Sequence, residues 1–137
     1  MHVRVASDAN DFLLLSPTDP FQELGDYLCF DKELHWFFCK QCGGRCFTYA
    51  GEEENVEVDL GALGVPGEAE GKKTKVWKHK GGPAYLSVNG YAIDAGQDGL
   101  DLREWTEKKW LQYFDMLPER EKRLRRTYDR PHAGGAY

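Results

Sequence analysis

The sequence predicts a mainly β fold, with small antiparallel sheets and one helix towards the C-terminus. Two patterns predict it. Short apolar or alternating runs recur along the first ninety residues, each closed by turn-forming residues. Only one stretch, Leu102 to Leu117, carries apolar residues at helical spacing. A 13% aromatic content excludes a chain that is disordered throughout.

The elements follow in order. Phe12-Leu13-Leu14-Leu15 reads as a short buried strand, stopped by Ser16-Pro17-Thr18-Asp19-Pro20. Leu24 to Phe30 and Leu34 to Phe38 read as two arms of a hairpin around Asp31-Lys32-Glu33. The second arm runs into Cys39-Lys40-Gln41-Cys42-Gly43-Gly44, and Arg45 to Tyr49 forms the next strand. Asn55 to Leu60 alternates apolar and polar residues as a half-buried strand does. Residues 61–75 hold Gly61, Gly64, Pro66, Gly67 and Gly71 and read mostly as a long surface loop. Tyr85 to Val88 is strand-like, and Asn89-Gly90 marks a tight turn. The helix over Leu102 to Leu117 would place Leu102, Trp105, Trp110, Tyr113, Phe114 and Leu117 close to one stripe. Asp101 is its N-cap, Glu104 the capping-box partner, and Pro118 the stop. Residues 118–137 read as a charged and Gly-rich tail, irregular at its end.

Composition narrows the function classes. A length of 137 residues fits a single domain, 1–137. The net charge of −5 makes nucleic acid an unlikely partner. No apolar run approaches the ~20 residues of a membrane span. The opening MHVRVASDAN has no apolar core of a secretory signal, so the expected compartment is the cytoplasm.

The four cysteines, Cys29, Cys39, Cys42 and Cys46, all fall in one short segment. Clustering without an export signal favours metal over disulfides. Cys39-Lys40-Gln41-Cys42-Gly43 is a C-x-x-C-G knuckle. A sharp turn lets both thiolates face one ion, and the glycine permits positive φ and leaves N–H groups free to bond sulfur. Cys39 and Cys42 are therefore the candidate metal ligands, and Zn²⁺ the candidate ion. Two thiolates are half of a tetrahedral set. Cys46 reaches the site only if the chain curls back. Hairpin pairing around Asp31–Glu33 sets Cys29 opposite His35, roughly 13 Å from Cys39 at strand rise. Beside the metal reading stands a plainer one: Cys29 and Cys46 as small apolar core residues, His35 as a packed or hydrogen-bonded strand histidine, and Trp36-Phe37-Phe38 as core. Lys72-Lys73-Thr74-Lys75 and the Arg-rich 120–126 segment read as solvated faces. No Ser/His/Asp spacing or phosphate-binding glycine loop is present, so no catalytic or cofactor-binding residue is assigned.

His35-Trp36-Phe37-Phe38-Cys39-Lys40-Gln41-Cys42-Gly43, followed by Arg45 and Phe47, resembles the H-aromatic-F-C-x-x-C-G signature of the glutathione-dependent formaldehyde-activating enzyme and centromere protein V family, with one extra aromatic residue before the first cysteine. Leu24-Gly25-Asp26-Tyr27 resembles the entry strand, Tyr85-Leu86-Ser87-Val88-Asn89 a late strand, and Gly99 to Trp110 the fungal-type members. The resemblance covers about residues 2–115, centred on 34–47. It implies a β-tent fold, carbon–sulfur lyase chemistry on glutathione and formaldehyde or a related adduct, and zinc. In the family one zinc is structural, shared by an N-terminal C-x-C and the later C-x-x-C; only the latter has a counterpart here, Cys39 and Cys42. The catalytic cysteine motif has none, so the chain resembles the C-terminal two thirds of such a domain, with the N-terminal zinc-ligand segment missing. Two functions are expected on this basis: a zinc-binding lyase-type domain (S-(hydroxymethyl)glutathione synthase-like), inactive if the missing ligands are essential; alternatively, a non-catalytic zinc-knuckle module that completes its metal site as a homodimer.

Overall fold

The computed structural model describes residues 1–5, 12–28, 31–81, 84–94, 96 and 100–111, together with the backbone of three short strands within 113–136. The chain forms two compact units, one of His2–Ala92 and one of Ile93–Tyr137 with Met1. The fold is mainly β, and every named strand pair is antiparallel.

In the first unit the elements are β1 (His2–Arg4), the one-turn helix α1 (Pro20–Glu23), β2 (Gly25–Leu28), β3 (His35–Phe38), β4 (Arg45–Ala50), β5 (Glu53–Asp59), β6 (Lys73–His79) and β7 (Tyr85–Asn89). Five strands make one sheet in the order β1-β7-β4-β3-β2, and β5 and β6 pair as a separate hairpin. Alternation decides the core. Phe37 sits opposite Phe47, Phe47 opposite Val88, and Tyr49 opposite Leu86, so these side chains share one face of the sheet. Phe37, Phe47, Tyr49, Leu86 and Trp77 of β6 form the buried cluster. The ring centroids of Phe37 and Phe47 are 4.7 Å apart, and Tyr49 meets Trp77 edge-on at 4.9 Å. On the other face, the buried hydroxyls of Thr48 and Ser87 bond each other at 2.5 Å, and His2 Nδ1 lies 3.2 Å from the Ser87 oxygen. Trp36 Nε1, Trp77 Nε1 and His79 Nε2 are buried with no partner among the described residues.

Several expectations change. The strand over Phe12–Leu15 is a single bridge, Leu14 to Trp77, because only Leu14 exchanges backbone bonds with β6. The stretch taken as loop to residue 75 ends earlier. Lys73 opens β6, whose lysines Lys73 and Lys75 face solvent while Val76 and Trp77 are buried. The first hairpin is one residue out from expectation: Leu28, not Cys29, lies opposite His35. Asn89-Gly90 does turn the chain, with Asn89 Oδ1 accepting from the Tyr91 N–H, and leads into a short 3-10 helix over Gly90–Ala92.

The second unit holds α2 (Leu102–Glu107) and a three-stranded sheet, β10-β8-β9, of β8 (Tyr113–Asp115), β9 (Arg125–Thr127) and β10 (Gly135–Ala136). Asp101 caps α2 as expected, accepting from the Arg103 N–H at 2.9 Å. The helix is far shorter than Leu102–Leu117. Lys109 adopts φ 59°, its N–H bonds the Thr106 carbonyl, and the Trp110 N–H reaches the Trp105 carbonyl at 2.8 Å. Those two hydrogen bonds close the last turn and end the helix. The tail contributes β9 and β10 and is not irregular throughout. Among the described residues no helix is long and apolar enough to cross a membrane.

The loop from β5 to β6 is rich in glycine yet tightly tied. Asp59 accepts from the Ala62 N–H (2.9 Å) and the Gly71 N–H (2.6 Å), which holds its carboxyl below the usual range. Gly61 packs so closely that a Cβ there would stand 2.4 Å from the backbone of Ala69 and Glu70. Gly61→Ala is therefore expected to destabilise the chain by about 1–3 kcal/mol, seen as a lower thermal midpoint. An unchanged midpoint would show that the loop is not packed in this way.

Candidate metal centre

β3 and β4 deliver the two ends of the knuckle. Their rings interlock at Phe37 and Phe47, and the chain between them has only six residues, Cys39 to Gly44, in which to reverse. The Cys39 N–H bonds the Gly44 carbonyl at 2.9 Å, and the Gly43 N–H bonds the Cys39 carbonyl at 2.8 Å. Gly43 takes φ 72°, a conformation that strains any residue with a side chain. The reading of this glycine as the pivot of the turn holds.

The sulfurs receive backbone donors. The nearby peptide N–H groups of Cys42 and Gln41, and then the Cys42 thiol, hold the Cys39 thiol below its ordinary pKa. The Gly44 N–H points at Cys42 Sγ, 3.4 Å away. Cys42 is exposed and Cys39 half-buried; both are free thiols. The rim is anchored from outside the turn. Lys40 Nζ donates to the Gln22 carbonyl of α1 at 2.7 Å, and Asn89 Nδ2 of β7 donates to the Arg45 carbonyl at 2.9 Å. The Arg45 guanidinium lies 5.5 Å from the centre of the Trp36 ring.

Cys46 does more than its expected packing role. It is half-buried against the aromatic core, as a small apolar residue is, but its Sγ also donates to the Gly44 carbonyl at 3.6 Å. Burial raises the Cys46 thiol's pKa, and negative charge on Cys39 and then on Cys42 adds to the rise, against a lowering influence of the Cys39 peptide N–H. The chain thus curls back far enough for the Cys46 thiol to bond the Gly44 carbonyl inside the knuckle. Two adjacent glycines made that possible; nothing in the residue pattern announced it.

His35 stays apart from this chemistry. Its Nδ1 lies 2.7 Å from Asp26 Oδ2, its ring stacks on Phe37, and Phe21 meets it edge-on, as expected of a hydrogen-bonded strand histidine. Cys29 lies outside the described residues. Among those described, no three His, Cys, Asp or Glu side chains are gathered as a ligand set for an ion. The donor chemistry still fits zinc as a half-site: two thiols on a glycine-turned loop, the Cys42 sulfur facing the Gly44 N–H and the Cys39 thiol held below its ordinary pKa. No known family model matches the chain, and no curated protein or solved structure matches it either.

The thiols should differ in reactivity. In metal-free protein near neutral pH, iodoacetamide is expected to alkylate Cys39 faster than Cys46, because a lowered pKa leaves more thiolate and a raised one leaves less. Peptide mapping against time measures both rates. Equal rates would mean that the loop does not lower the Cys39 thiol relative to Cys46 in solution.

Proposed function

We propose that this chain is a zinc-binding domain of the carbon–sulfur lyase type that its 34–47 segment resembles, the glutathione-dependent formaldehyde-activating enzyme and centromere protein V family. Cys39 and Cys42 supply two thiolates, and ligands beyond the knuckle complete the set. The observation that carries this reading is the loop itself: a positive-φ Gly43 turns the chain so that the Gly44 N–H meets the Cys42 sulfur, the kind of peptide donor that supports metal-bound thiolates. On the resemblance, the substrate class is glutathione or a glutathione adduct. Thiolate ligands of this kind persist in a reducing compartment, in keeping with a cytoplasmic location.

A second reading follows from the exposure of Cys42 and from the lack of a third grouped ligand among the described residues. Here the knuckle is an association module, and two copies pool Cys39 and Cys42 across a two-fold axis into one four-thiolate site.

Metal analysis with native mass spectrometry tests both. Zinc in purified protein, lost in Cys42→Ala with an affinity drop beyond about tenfold, is expected on either reading, since even outer-sphere partners cost that much. One zinc per two chains, in dimers that dissociate on chelation, is the outcome for the module; zinc in monomers selects the lyase-type domain. A rate of glutathione–formaldehyde adduct formation above the spontaneous reaction adds catalysis to that domain. Protein that binds no zinc at any concentration tested would remove both.

A further inference from the structure

We infer that the five-stranded sheet binds short single-stranded nucleic acid on the face turned away from Phe37 and Phe47, with Arg4 and Arg45 on its phosphates and Tyr27 under a base. The inference stands apart from the zinc reading, since it uses neither Cys39 nor Cys42.

One row of partners crosses the whole sheet. Tyr27 of β2 lies opposite Trp36 of β3, Trp36 opposite Thr48 of β4, Thr48 opposite Ser87 of β7, and Ser87 opposite Arg4 of β1. Alternation sets this row on the face opposite Phe37, Phe47 and Val88. Its four strand spacings span roughly 19 Å. A break in the ladder adds Arg45. Phe37 pairs with Phe47, but the next pair is Phe38 with Arg45, so Cys46 is an extra residue and β4 carries a bulge. Regular alternation would turn Arg45 towards the core. The bulge sends it to the outer face, where its guanidinium lies 5.5 Å from the centre of the Trp36 ring. Tyr85, two residues before Ser87, carries the Arg4 guanidinium in the same way at 5.3 Å.

Charge selects the occupant. The net charge of −5 is a sum and hides where the charge lies. Asp26 is the single acidic residue within these five strands, and it sits opposite Phe37, paired with His35. Glu53, Glu54, Glu57 and Asp59 belong to β5 instead. Arg4 and Arg45 are both exposed and have no carboxylate partner among the described residues. A guanidinium laid on a ring keeps its in-plane N–H fork free for phosphate oxygens. The rings favour nucleic acid over an acidic peptide. Tyr27 is 61% exposed, and Trp36 beside it is half-buried; flat side chains so placed on an open sheet stack unpaired bases, which a carboxylate side chain cannot exploit.

Fluorescence anisotropy of a labelled oligothymidine of about ten nucleotides, titrated with the full chain, tests this. Log affinity should fall against log salt with a slope of about −1.4, as two phosphate contacts on a single strand dictate. Arg4→Gln and Arg45→Gln should each remove about half of that slope, while Arg45→Lys, which keeps the charge, retains it. Tyr27→Ala should weaken binding about five- to a hundredfold and leave the slope unchanged. All of these side chains are exposed, so each variant should melt with the parent protein. A parent chain that does not bind at low salt would overturn the proposal, as would substitutions that all leave binding unaltered. Polyglutamate competing as strongly as unlabelled oligothymidine would overturn it too, because the face would then read charge alone.

Discussion

Phe37 lies against Phe47 across the β3–β4 ladder, fully buried, with Trp77, Phe21 and Phe12 closing around the pair. Each ring removed from water is worth about 1.5–3 kcal/mol, but the larger consequence is register. A slip of one residue between these strands would turn one ring to the opposite face from the other, so the packing favours a single alignment. That alignment fixes where β3 stops and β4 starts. The six residues between have no freedom to choose another turn, and the thiols inherit their places from a pair of aromatic rings.

Chemistry at the knuckle is shaped by peptide groups more than by charged neighbours. The sulfur of Cys39 is stabilised as an anion by N–H donors of its own loop, the Cys42 sulfur takes another, and Lys40 spends its ammonium on the backbone of α1. Asp26 and His35 satisfy each other on the neighbouring hairpin and stay out of the thiol cluster. What results is a rigid donor loop at the end of a sheet, with one sulfur open to solvent and another leaning on the core.

Legibility in the sequence followed the strength of local pattern. β3, β4 and β7 were readable because aromatic and aliphatic residues alternate there under one buried face, and the knuckle because two cysteines and a glycine allow few other turns. β6 escaped since Trp77 and Val76 are consecutive and both buried, one on each face, which erases the alternation that marks a half-exposed strand. The helix was overextended because its apolar stripe runs past Glu107. Nothing in Lys109 signals the left-handed turn that ends it, a place where glycine is the usual choice. Cys46 was read as filling, and a bulge, which depends on two strands at once, has no signature in either alone.

The clasp at Asp59 bears on how the outer hairpin holds together. A run of glycines between two strands would ordinarily leave their ends free to wander, and closing such a span costs entropy that grows with its length. Here one carboxylate grips the loop near its start and again near its end, Leu60 is sealed inward, and the Val65 N–H returns to the Leu60 carbonyl. The segment acts as a stiff cap. Replaced by a flexible spacer of equal length, it would leave β5 and β6 joined by their ladder alone, with nothing to hold their far ends at a fixed spacing.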